Sequence, residues 1–85
     1  MKRLIEDNET SGLESLMGQN VTFFSLNYIY TGKLVSVNDK YVLLENPAIV
    51  YETGSFDNAI WADAQALPNE LYIMLSTVEA FGLVK

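Results

Sequence analysis

Carboxylates dominate the titratable groups of this chain. There are 11 Asp and Glu against 5 Lys and Arg, with no histidine and no cysteine. Without thiols there is no disulfide and no thiolate metal site, and without imidazole the commonest zinc, copper and iron ligand is missing. Glu6, Asp7 and Glu9 fall together in a charged, polar leader over residues 1–10, where they form a solvated tail rather than a metal site. Glu45, Glu52, Asp57, Asp63, Glu70 and Glu79 are scattered, and no two carboxylates stand at a spacing that suggests acid–base catalysis. No glycine loop of the phosphate-cradling kind is present. The expectation is a protein that is not an enzyme, with no catalytic residue, no cofactor and no metal.

Aromatic side chains are the next group with chemical reach. Phe23, Phe24, Tyr28 and Tyr30 lie close together and can offer either a surface for stacking bases or a core and interface. Trp61 is either an anchor for a partner or the local core of its own segment. The charge of −6 argues against a generic nucleic-acid binder, which is usually basic. Its distribution is uneven: Lys2, Arg3, Lys33 and Lys40 precede the six scattered acids, and only Lys85 follows them. One surface can thus be acidic while another is neutral or weakly basic.

These residues must be positioned by a small scaffold. A chain of 85 residues supports one domain, and domains of this size bury only about 60–65% of the surface their unfolded chain exposes. Disulfides and thiolate zinc sites are not available to reinforce it, so association with further copies is the expected source of added burial. A hydrophobic content of 49% agrees with that expectation. No apolar run approaches the ~20 residues that span a bilayer, and no apolar segment of a secretory signal is visible, so the expected location is cytoplasmic.

The pattern along the chain is helical first and strand-like afterwards. Ser11 and Glu14 fit a capping box, Leu13, Leu16 and Met17 make one apolar stripe, and Gly18 suits a helix end, predicting a short helix over 11–17. Strands follow over 21–26, 28–37, 41–45, 71–75 and 78–84, rich in β-branched and aromatic residues. Gly32 interrupts the second of these and marks a bend. Asn38-Asp39-Lys40 is a short turn. The third strand can continue over 48–51 past Pro47, which marks an edge or bulge. Residues 54–69 carry turn signals at Gly54, Asp57-Asn58 and Pro68-Asn69, yet also Phe56, Ile60 and Trp61, and so form a structured excursion or an extra hairpin. The fold class expected is mainly β: a short N-terminal helix followed by a strongly bent five-stranded antiparallel barrel. It forms one domain over 11–85, with an insertion at about 54–69.

At this point the chain resembles a family. Leu16-Met17-Gly18-Gln19-Asn20-Val21-Thr22-Phe23, followed by Tyr30-Thr31-Gly32-Lys33-Leu34-Val35-Ser36-Val37-Asn38-Asp39, is similar to the first motif of the Sm-like proteins. That motif has a glycine closing a helix, a Val-x-apolar strand, a Tyr-x-Gly-x-Leu bend and an apolar-Asp turn. The stretch 32–46 looks closer to the bacterial Hfq form, and Leu75-Ser76-Thr77-Val78 resembles the turn before its last strand. The resemblance implies an SH3-like (Sm-like) small barrel that joins a homo-oligomeric ring of about five to seven subunits through its last two strands. An apolar fourth strand such as Leu71-Tyr72-Ile73-Met74-Leu75 would be an aggregation hazard if left unpaired.

The resemblance also implies binding of single-stranded RNA or DNA at the ring's pore. Carried over by position, the binding residues are Asn38, Asp39, Lys40 and Tyr41 on one turn, and Ser76 and Thr77 on another. Asn38 either reads a base edge or serves the turn. Lys40 stands where the family places a stacking ring; it either neutralises a phosphate or is solvated. Tyr41 either stacks on a base or begins the core of the third strand. Ser76 and Thr77 replace the Arg-Gly pair of the eukaryotic motif, and Val42 replaces its asparagine. The alternative is a structural or protein-interaction ring with an acidic docking surface and no nucleic-acid binding.

Overall fold

From Asn20 onward, the β-branched and aromatic segments become an antiparallel sheet in the computed structural model, which describes residues 12–85. Its strands are β1 (Asn20–Ser25), β2 (Ile29–Val37), β3 (Tyr41–Glu52), β4 (Asp63–Ala66), β5 (Leu71–Met74) and β6 (Val78–Gly82). The order is β4-β3-β2-β1-β6, with β5 pairing β3 as a branch. β3 is long enough to serve two partners on one side. Its first half pairs β5, from Tyr41↔Met74 to Leu44↔Leu71. Its second half pairs β4, from Ala48↔Ala66 to Glu52↔Asp63.

The bend expected at Gly32 and the bulge expected at Pro47 are two sides of one feature. The β2–β3 register passes from Thr31↔Ala48 to Lys33↔Glu45, so Gly32 alone stands opposite Asn46 and Pro47. Two residues against one is a bulge, which bends and twists the pair. Asn46 takes a positive φ of 51, which asparagine tolerates better than most residues. Pro47 is fully buried in the bend. A Cβ on Gly32 would lie 3.1 Å from Leu44 Cβ and 3.2 Å from both Glu45 O and Pro47 Cα, so the close approach requires glycine.

The core forms on the inner side of this bend. Val21 and Phe23 from β1, Leu34 from β2, Val42 and Leu44 from β3, and Ile73 from β5 pack with Leu13. Val42 with Leu44, and Leu71 with Ile73, point inward by the two-residue alternation of strands.

Three expectations change. The helix over 11–17 is a single 3-10 turn, Glu14–Leu16. Gly12 has a φ of 80, which breaks any helix before Leu13, and Gly18 N donates to Leu34 O at 2.7 Å, which turns the chain into the sheet. Ser11, and with it the capping box, lies outside the described residues. Six strands, not five, occur among the described residues, because the excursion after β3 takes the extra-hairpin form and returns as β4. Finally, no ladder joins β5 to β6 among the described residues, so pairing does not close the sheet into a barrel. The physical reason lies in their connection, the 3-10 turn Leu75–Thr77. Its backbone groups bind other turns: Leu75 N donates to Lys40 O at 2.8 Å, and Thr77 O accepts from Leu26 N at 3.0 Å. β5 and β6 are thereby held to different hairpins. No helix among the described residues is long and apolar enough to cross a membrane.

Candidate functional site

The two turns singled out in the sequence meet at one end of the sheet. The link is the hydrogen bond from Leu75 N to Lys40 O, which ties the β2–β3 turn to the β5–β6 turn. Asn38 builds the first turn. Its side-chain Oδ1 accepts from Lys40 N at 2.8 Å and from Tyr41 N at 2.9 Å, and its own N–H donates to Tyr41 O at 3.0 Å. The acceptor half of the amide is therefore committed to the turn, and only the NH2 group faces solvent as a donor. Asp39 and Lys40 are exposed at the tip.

Thr77 builds the second turn in the same way. Its hydroxyl donates to Met74 O at 2.9 Å, leaving oxygen lone pairs free as acceptors. Ser76 beside it is exposed.

Tyr41 does not begin the core. It is 37% exposed, and its ring meets that of Tyr72 edge-on, with centroids 5.3 Å apart at 89°. Tyr41↔Met74 and Leu43↔Tyr72 are register partners, so Tyr41 and Tyr72 are diagonal neighbours on one face. With Met74 they line an open apolar depression of about 290 Å³. Tyr72 and Met74 were not among the candidate residues. The signal for them is the alternation within β5, where Leu71 and Ile73 face inward and Tyr72 and Met74 outward.

The aromatic group of the first hairpin divides. Phe23 is in the core and Tyr30 packs against it, whereas Tyr28 is exposed and meets Tyr30 edge-on at 6.1 Å. These rings do not form one platform. Trp61 lies far along the chain and is half-buried, with the Lys85 ammonium 4.7 Å from its ring centroid. Of the scattered acids, Glu52, Asp57, Asp63, Glu70 and Glu79 are exposed and Glu45 is half-buried. No group of three or more metal-ligating side chains occurs among the described residues.

No protein-family model matches the chain, and comparison with curated proteins finds no match.

Proposed function

We propose that the chain assembles head to tail into an Sm-like ring and binds single-stranded RNA on the joined turns formed by Asn38–Tyr41 and Ser76–Thr77. The observation that carries this reading is the Leu75 N to Lys40 O bond, which holds both turns at one end of each subunit. A ring repeats that end around its axis. It then offers one exposed lysine and one tyrosine face per subunit, and a base stacked on an aromatic face gains about 1–3 kcal/mol. The strand edges supply a reason to assemble. Among the described residues β5 pairs only β3 and β6 pairs only β1, so within them each keeps one unpaired edge. Tyr72 and Met74 on β5, and Phe81 on β6, leave these edges apolar and exposed. Pairing β5 of one copy with β6 of the next removes both edges when the ring closes.

The test is a titration with short uridine- or adenine-rich oligomers at low salt, on material whose mass shows the assembled ring. Binding that weakens steeply with salt is expected, together with a loss of about tenfold or more in affinity for Lys40→Glu. An intact ring that binds no oligomer overturns the RNA reading. The exposed acids favour a second reading, in which the ring docks a protein. In that case a partner pulled down by wild-type protein is retained equally by Lys40→Glu.

A further inference from the structure

The excursion between β3 and β4 binds an ammonium group at the surface. The chain leaves β3 at Thr53, turns at Gly54 with a φ of +68, and closes a tight turn through Asn58 N to Ser55 O at 3.1 Å. Three main-chain carbonyls then converge on one point. Lys85 Nζ donates to Thr53 O at 2.6 Å, to Ile60 O at 2.9 Å and to Ser55 O at 3.0 Å. The Trp61 and Phe56 ring centroids lie 4.7 and 5.7 Å from the same nitrogen. Both distances fall within the ~6 Å over which a ring face attracts a cation.

The composition of this cage specifies its ligand. An alkylammonium has three N–H donors and no acceptor, and the cage supplies three carbonyl acceptors and two aromatic faces. The Asp57 carboxylate accepts from the Ser55 hydroxyl instead, so it adds attraction at a distance without hydrogen-bonding the cation. Each N-methyl group would remove one donor and leave one carbonyl without its partner. A planar guanidinium directs its donors outward in a fork, not toward three oxygens around a point. We propose that residues 53–61 form a receptor for a primary alkylammonium group, the head group of an unmodified lysine. Lys85 of the same chain occupies it, and a free primary amine takes it when that side chain is removed. The receptor is built within one chain and does not depend on ring assembly.

Trp61 is the only tryptophan in the sequence and reports directly on the cage. Lys85→Ala should respond to n-butylammonium chloride with a saturable change that returns Trp61 emission toward that of the wild type. Wild-type protein should not respond over the same range, because a tethered side chain competes at millimolar effective concentration or above. Tetramethylammonium, at matched ionic strength, keeps the charge but has no N–H donor, and it should bind Lys85→Ala about tenfold more weakly or worse. A folded variant with no saturable response, or with equal responses to the two cations, overturns the proposal. Wild-type protein provides a second measurement that does not require the variant to fold. Under brief acetylation of native protein, Lys85 should react about tenfold more slowly than the exposed Lys33 and Lys40, because its nitrogen is held by three acceptors. Equal rates at the three lysines overturn it as well.

Discussion

The two halves of β3 hold partners of opposite character. The first half pairs β5, whose Leu71 and Ile73 pack against the core while Tyr72 and Met74 face outward. The second half pairs β4, whose four residues, Asp63-Ala64-Gln65-Ala66, are all exposed. β4 even begins with a like-charge pair, Asp63 opposite Glu52, which opposes pairing. What holds it is the ladder itself, the Tyr51 hydroxyl on Gln65 Oε1 at 3.2 Å, and the excursion clasped by Lys85. Among the described residues both strands leave an unpaired edge. The β4 edge is short and polar, the usual way of keeping an edge inert, whereas the β5 edge is apolar. A single strand thus carries a core-attached partner with a sticky edge and a surface flap with a quiet one. That contrast favours β5, not β4, as the strand that meets another copy.

The largest expected effect tests the core-attached half. Ile73→Ala removes a buried side chain between Val42 and its neighbours and should cost about 2–5 kcal/mol in urea unfolding. Gln65→Ala on β4 should stay within about 0.5 kcal/mol, because it removes one exposed hydrogen bond. Comparable costs at the two positions would erase the distinction between the halves.

Gly32 sits at the joint between them and should come next in size. Gly32→Ala places a methyl 3.1–3.2 Å from Leu44 Cβ, Glu45 O and Pro47 Cα. Two of these are backbone atoms and the third is a Cβ, so none can rotate aside, and a loss of about 1–3 kcal/mol is expected. Gly82→Ala on β6 is the matched control, since a Cβ there meets nothing within 4 Å. Its melting temperature should be nearly that of the wild type. Equal shifts at the two glycines would show that Gly32 is not needed for the bend.

The joint was legible from residue type alone. A glycine inside a strand and a proline unable to donate each announce a break, and the register pairs them. The extra hairpin offered for residues 54–69 is present, with β3 as its other arm, but the position of β4 within it was not legible, because alanine, aspartate and glutamine have no strand preference; its conformation comes from the β3 edge it lies on. The 3-10 turn was misread for another reason. Leu13 and Leu16 stand three apart, which suits either helix type, and the exclusion of a longer helix comes from Gly12 and Gly18 as they sit in the structure. At the candidate site, Asn38 announced its turn. The Tyr41–Tyr72 contact required the β3–β5 register, which no local pattern carries. The cage around Lys85 is further from view, because its ligands are main-chain carbonyls of residues 25 to 32 positions away.

The smallest effect separates the flap from the core by pH. The Asp57 carboxyl is held below its ordinary pKa, first by the Ser55 hydroxyl and then by its own backbone N–H; desolvation opposes them, and the Lys85 charge is the smallest of the contributions that lower it. A depressed carboxylate pKa contributes stability that is fully present above the unfolded value, about 3.9 for aspartate. It is lost as the pH falls through the folded value. Trp61 emission should therefore stay level from neutral pH down to that point and change only below it, as protonated Asp57 releases Ser55 and weakens the excursion's hold on Lys85. Asp57→Asn carries no titrating group at this position and should lack this inflection. The backbone circular dichroism of the β5-attached core should show no step at the same pH, because Asp57 is exposed on the flap and is not a member of the core cluster. An Asp57→Asn profile that keeps the inflection assigns it to another carboxylate; a simultaneous step in the core signal means that flap and core unfold as one unit.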